Sequence, residues 1–278
     1  MDVMKEKRSA QTEEIRRGNI SRREESIVNT EKSPASPVAL LFVDEPGRVS
    51  SVRELVAQDF SRVVVLRTMD EGIWTVRRLM ANGDEVGFCL FDGSVSEHEV
   101  LGFISFARGR GGLRELPVLV MTEKEGPDYR VRVLDAGADE VLVMPCPPRE
   151  TVARIHSLMR RSPSSADENF DAPARYEAGP LVLDTARHEV RWKGKRIFLT
   201  PLEFRILTRL VRHPGKVFAR EALMRQLWGE HWEVEDHNLS VHIHGLRKKL
   251  SEGPVPCRMI ETVRGIGYRF REDEPSGN

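Results

Sequence analysis

Cysteine is scarce in this chain, and the three present (Cys89, Cys146 and Cys257) are scattered with no C-x-x-C spacing. That pattern argues against a disulfide framework and a zinc site, and for a reducing compartment. Long apolar runs are also missing: none approaches the ~18 residues that a membrane-spanning helix needs. The first residues are charged rather than apolar, so they do not read as a secretory signal. Together these absences predict a cytoplasmic protein with no membrane partner. No nucleophile is paired with a base, so no enzyme is expected. Net charge is lacking as well, with Lys+Arg and Asp+Glu at 43 each.

That zero conceals a segregation. Residues 179–272 carry 18 Lys/Arg against 11 Asp/Glu, a net of +7, so the remainder carries −7. Six of the eight His (188, 213, 231, 237, 242 and 244) lie in the same basic segment. A basic domain on an acidic body points to nucleic acid as a partner.

At 278 residues the length suggests two domains. Residues 1–36 mix Lys, Arg and Glu with few large apolar side chains, which predicts a disordered arm. From Val38 the rhythm changes to apolar runs (VALLFV, RVVVLRT, EVGFCLF, LPVLVMT, EVLVM) alternating with amphipathic stretches. Five strands alternating with five helices predict, over 37–161, a parallel sheet covered on both faces. Ligands of such sheets sit at the carboxyl ends of the strands. Asp44 and Glu45 follow the first strand there, Asp92 the third and Thr122 the fourth.

Residues 162–178 read as a polar linker, and 273–278 as a tail. LVLDTARHEVRWKGKRIFL alternates around a Lys193-Gly194 turn and predicts a small antiparallel sheet. Thr200-Pro201-Leu202-Glu203 has the form of a capping box opening a helix, and a second helix runs from Ala222 to Trp228. Trp228 and Trp232 read as core or loop anchors.

A third helix is stripe-coded. Leu239, Ile243, Leu246 and Leu250 share one face. The opposite face carries His237, Val241, His244 and Lys248, with Arg247 and Lys249 on its shoulders. Arg264-Gly265-Ile266-Gly267 then marks a hairpin turn. A basic helix backed by a core and followed by an Arg-tipped hairpin fits a winged helix on duplex DNA. His242 lies near the buried stripe and reads as a packed histidine. It cannot share a metal ion with His244, two residues on and about 200° around the helix.

Four segments carry a family resemblance: LTPLEFRILTRLVRHPGKV from Leu199, REALMRQLWG from Arg220, VHIHGLRKKL from Val241 and TVRGIGYRF from Thr262. In order and separation they resemble the effector domain of OmpR/PhoB-type response regulators, over about Gly179 to Arg271. A second resemblance, to a receiver domain, covers Pro37 to Arg161. The implied architecture is an α/β, flavodoxin-like receiver with a five-stranded parallel sheet, plus an α+β winged helix. The implied function is sequence-specific transcriptional regulation.

The resemblance assigns Asp92 as phosphoacceptor, with Asp44, Glu45 and Thr122 around it and Mg²⁺ on Asp44 and Asp92. Aligning on VDEP puts Val43 at the first acid's position and leaves Asp44 as the only acid there. Aligning on the following helix pairs Asp44 with Glu45, and keeps Val49 and Val52 facing the core. The family's strand-five Lys-Pro is Met144-Pro145 here, and a thioether supplies no cation to a developing charge. The expectation is therefore a degenerate receiver that needs no cofactor, with Mg²⁺ entering only if it is phosphorylated.

Arg130, Glu140, Glu150, Arg154 and Arg161 fall at charged positions of the family's pairing face, which implies a homodimer on tandem half-sites; solvated charge is the competing reading. The loop 229–236 corresponds to one that touches RNA polymerase, and a histidine kinase is the implied input. Family members commonly carry Arg at the positions of His237 and Gly245, so the operator cannot be carried over. Gly245 suggests a close approach of the helix backbone to bases. Two rivals stand beside this reading: an ordinary phosphorylation-activated regulator, and a protein-interaction module with a winged-helix shape.

Overall fold

The computed structural model describes residues 27–29, 37–57, 59–60, 62–109, 112–123, 126–159, 175–228, 237–251 and 258–271. Its first unit is a six-stranded sheet. β1 (Ile27–Asn29), β2 (Val38–Phe42), β3 (Arg62–Leu66), β4 (Val86–Phe91), β5 (Val118–Thr122) and β6 (Glu140–Val143) stand in the order β1-β3-β2-β4-β5-β6. β2 to β6 are parallel, as continuous apolar runs buried on both sides require. β1 pairs antiparallel with β3, Ile27 opposite Val64. Three residues of the stretch expected to be disordered thus close the sheet's edge; the rest of 1–36 lies outside the described residues.

Among the described residues, five helices clothe this sheet. α1 (Val49–Val56) and α5 (Pro148–Met159) cover one face, where Val52, Val56, Ile155 and Leu158 join the core. α2 (Met69–Ala81), α3 (Glu97–Arg108) and α4 (Pro127–Ala136) cover the other with Val76, Phe103, Ile104 and Val133. Gly72 is fixed by that packing: a Cβ there would stand 2.5 Å from the Phe42 ring.

The second unit begins earlier than composition suggested. β7 (Arg175–Ala178), read as linker, is the edge strand of an antiparallel sheet ordered β10-β9-β8-β7. Its partners are β8 (Leu181–Asp184), β9 (Glu189–Trp192) and β10 (Lys195–Ile197). The turn between β9 and β10 holds Lys193 and Gly194 at φ 49° and 79°, the left-handed pair that a tight hairpin needs.

α6 (Pro201–Val211) opens with the capping box complete. Glu203 N donates to Thr200 Oγ1 at 3.3 Å, and Thr200 N to Glu203 Oε2 at 2.7 Å. β11 (Val217–Ala219), α7 (Arg220–Trp228), α8 (His237–Lys249), β12 (Ile260–Val263) and β13 (Gly267–Phe270) follow. The last two form the wing on β11, in the order β11-β13-β12. Leu239, Ile243, Leu246 and Leu250 are all buried in this unit's core, as their spacing requires.

Candidate nucleic-acid interface and receiver site

The exposed part of the predicted groove stripe is narrower than the sequence suggests. On α8, His244 and Lys248 are exposed, and Arg264 is exposed at the wing turn, where Gly265 takes φ 71°. Three other members of the set are engaged elsewhere. Arg247 donates through Nε and Nη2 to the Ile260 carbonyl, at 2.9 and 2.7 Å, and to Thr262 Oγ1. It pins the recognition helix to the wing rather than reaching phosphate. Lys249 ion-pairs with Glu203 at 2.5 Å. Val241 packs against the hydrophobic core of the receiver. The His237 side chain lies outside the described residues.

Gly245 serves the protein rather than a base. A Cβ there would meet Glu203 Oε1 at 2.8 Å, so the missing side chain makes room for the capping carboxylate. His242 is buried, but against the other domain: its Nε2 lies 3.1 Å from the Asp139 carbonyl. A carbonyl only accepts, so Nε2 carries the proton. Burial lowers the pKa of this ring below the usual histidine value.

These contacts belong to a joint in which α8 lies along α4 and α7 meets α5. Asp139 sits at its centre, fully buried. One oxygen accepts from Arg108 Nη2 and Val118 N within the receiver, and the other from Leu202 N at the start of α6. The receiver therefore supplies part of the N-terminal cap of a winged-helix element. Beside it, Glu140 accepts from Trp228 Nε1 and pairs with Arg154 Nη1 at 3.0 Å. Ser157 Oγ donates to the Leu227 carbonyl at 2.6 Å, and Arg205 bridges the Ser157 and Leu227 carbonyls.

The residues expected to pair two copies are thus used within one. Glu140 is fully buried and Arg130 is buried. Arg154 also holds Glu150 at 2.6 Å, and Arg161 lies outside the described residues. Solvated charge fails for Glu140, which is fully buried and covered by the Trp228 indole. In this arrangement Glu140 is a ligand of the joint and Arg154 is its ion-pair partner, not a free pairing surface.

Burial pushes the Glu140 carboxyl up to about 7, against the pull of Arg154 and the Trp228 N–H. A folded-state value above the ordinary 4.5 means the native chain binds the extra proton. Stability should therefore fall as pH rises from 4.5 towards 7 and level off above, by at most about 1.4 kcal/mol per pH unit. Denaturant unfolding at pH 5, 6, 7 and 8 is expected to show this slope in the wild type and a flatter one in Glu140→Gln. Equal slopes would remove Glu140 as its source.

At the carboxyl end of the parallel sheet, Asp92 is 1% exposed. Its Oδ2 accepts from Ser94 N at 3.0 Å and pairs with Arg48 Nε at 3.0 Å, while Oδ1 is buried without a hydrogen-bond partner. Arg48, from the turn Pro46–Arg48, also reaches Glu123 Oε1 at 2.6 Å. Asp44 and Glu45 are exposed, and their backbone N–H groups donate to Ser94 Oγ at 3.0 and 3.3 Å. Thr122 is buried at the end of β5, its carbonyl accepting from Met144 N, and Met144 packs on the apolar core.

Mg²⁺ requires several oxygen ligands in near-octahedral array. Among the described residues no cluster of three or more His, Cys, Asp or Glu is placed to hold a metal. A guanidinium already lies against the buried Asp92 carboxylate, so these residues do not fit the ion that the family implies. Sequence reasoning missed Arg48. It follows a Pro-Gly pair in a loop, with nothing local to mark its partners 44 and 75 positions on.

The family described as "Transcriptional regulatory protein, C terminal" matches residues 194–270. The phosphate regulon transcriptional regulatory protein PhoB of Klebsiella pneumoniae is 38% identical over 171 residues, covering 61% of this chain and 72% of that protein. The chain belongs to the OmpR/PhoB family of response regulators. The DNA-binding response regulator MtrA of Mycolicibacterium smegmatis is 36% identical over 155 residues, covering 55% of this chain and 65% of that protein. A solved structure of a RitR mutant superposes with TM-score 0.62 on 85% of this chain and all of that one, at 22% identity, which speaks for the two-unit fold. This OmpR/PhoB-type regulator is a DNA-binding transcription regulator with a receiver-like α/β unit and a winged helix. No helix among the described residues is long and apolar enough to cross a membrane.

Proposed function

We propose that this OmpR/PhoB-family regulator acts in the cytoplasm and reads specific duplex DNA. His244 faces base edges in the major groove, and Lys248 and Arg264 lie on the backbone and the wing-side minor groove. The observation that carries this reading is the co-exposure of these three side chains on one winged-helix unit, with Arg247 holding helix and wing together. The regulator binds as a homodimer on direct-repeat half-sites about one helical turn apart, and RNA polymerase is its downstream partner. Pairing through Arg130, Glu140, Glu150 and Arg154 requires the joint to part first, because Glu140 holds Trp228 across it. Val241 is released in the same step. The receiver is poorly phosphorylated or not phosphorylated at all. No catalytic step belongs to this function.

Selection of binding sites from random duplexes, followed by footprinting, tests the reading. Two protected half-sites in tandem, with two protomers per duplex by light scattering, are expected. A single half-site at every concentration would contradict the dimer. Failure to enrich any sequence would favour the protein-interaction alternative.

A further inference from the structure

The ion pair at the carboxyl end of the parallel sheet says what has become of the receiver's phosphorylation site. We propose that the Arg48 guanidinium is this receiver's built-in cation, standing at Asp92 where relatives would place a divalent ion and closing the site to metal and phosphoryl donors. This goes beyond the DNA-binding reading, which would stand if it failed.

A carboxylate as deeply buried as Asp92 needs a positive partner or several donors, because an isolated buried charge costs several kcal/mol. It has one of each on a single oxygen, Arg48 Nε and Ser94 N, both at 3.0 Å. Arg48 is held from its far side as well, by Glu123 at 2.6 Å. The fork joins the turn after β2, the turn after β4 and the loop after β5. A metal ion binding Oδ2 at the ~2.1 Å that Mg²⁺ requires would lie against the guanidinium. It would have to displace Arg48 and break both ion pairs.

A Cβ on Gly93 would stand 3.7 Å from Arg48 Nη2 and 3.5 Å from Glu123 Cγ, ordinary contact distances, so the turn backbone lies beside the fork without obstructing it. Nor does a second cation arrive from β6, where Met144 presents a thioether within the apolar core. Phosphoryl transfer depends on cations that neutralise charge on the transferred group. Here the available positive charge is consumed by the acceptor itself.

Removing Arg48 should unmask the acids it covers. Asp92 and Glu123 lose their shared partner, and Asp44 and Glu45 stand on the adjoining loop. The test uses the full-length chain titrated with Mn²⁺ and followed by water-proton relaxation. In parallel, the chain is incubated with acetyl phosphate and Mg²⁺ and its intact mass measured. Wild type is expected to show no Asp92-dependent Mn²⁺ binding up to millimolar concentration and no added phosphate. Arg48→Ser is expected to gain millimolar Mn²⁺ binding that disappears in Arg48→Ser/Asp92→Asn, while Arg48→Lys stays metal-free. Circular dichroism establishes which variants fold. The wild-type measurements decide even if Arg48→Ser does not, since Mn²⁺ binding or phosphate that is lost in Asp92→Asn overturns the proposal. A folded Arg48→Ser that binds no more Mn²⁺ than wild type overturns it too.

Discussion

Ser157→Glu is expected to bind its operator about tenfold more tightly than wild type, although residue 157 touches no DNA. Ser157 is fully buried, and what covers its hydroxyl is the other domain. Its neighbours on α5, Ile155 and Leu158, point into the receiver core, so the substitution spares that core. A carboxylate at this point would be driven against the Leu227 carbonyl and would forfeit the 2.6 Å hydrogen bond. Each such bond is worth about 1 kcal/mol, and an acceptor facing an acceptor adds a penalty of similar size. Apparent affinity is the intrinsic affinity scaled by the open fraction, and tenfold corresponds to about 1.4 kcal/mol. Titration of the selected duplex, with small-angle scattering to follow separation of the domains, checks this. A folded Ser157→Glu with greater domain separation but unchanged affinity would show that covering Val241 and His242 does not hinder DNA.

The second large effect separates the side chains that read DNA from those that hold the domain together. Lys248→Ala and Arg264→Ala should each weaken specific and scrambled duplexes alike and lower the salt slope by roughly one unit, as loss of one phosphate contact does. His244→Ala should instead cost about 1–3 kcal/mol on the best site and flatten preference at one or two base pairs. Arg247→Ala should act on stability, because three hydrogen bonds from its guanidinium tie α8 to β12. Duplex titrations at several salt concentrations, beside thermal melts, distinguish the three classes. Equal weakening of both duplexes by His244→Ala would put the base-reading face elsewhere on α8.

What could be read from the sequence was what repeats locally. Alternating apolar runs and amphipathic stretches specify the parallel sheet and its helices. The Thr200–Glu203 pair specifies the start of α6, and the Leu239/Ile243/Leu246/Leu250 stripe specifies which side of α8 is buried. The features that escaped depend on residues far apart in the chain. Arg48 acquires its role only when the loops after β2, β4 and β5 meet. Ile27–Asn29 become a strand only because the edge of β3 is free to pair, and Arg175–Ala178 only because β8 offers an edge. The charges of Glu140 and Arg154 looked like surface because periodicity cannot reveal that a second domain lies over them. His242 shows the intermediate case: its burial was legible, its partner was not.

Asp139 gives the molecule two native reporters on one side chain. The Val118 amide donates to Oδ2 at 3.0 Å, and the Leu202 amide to Oδ1 at 3.1 Å. Both should be shielded from solvent deuterium, but through different openings. Val118 lies within the parallel sheet and exchanges when the receiver itself unfolds. Leu202 is protected only while the two units stay docked, so its exchange rate measures how often they part. The difference between the two opening free energies, read on a single carboxylate, is the margin by which the receiver outlasts the joint.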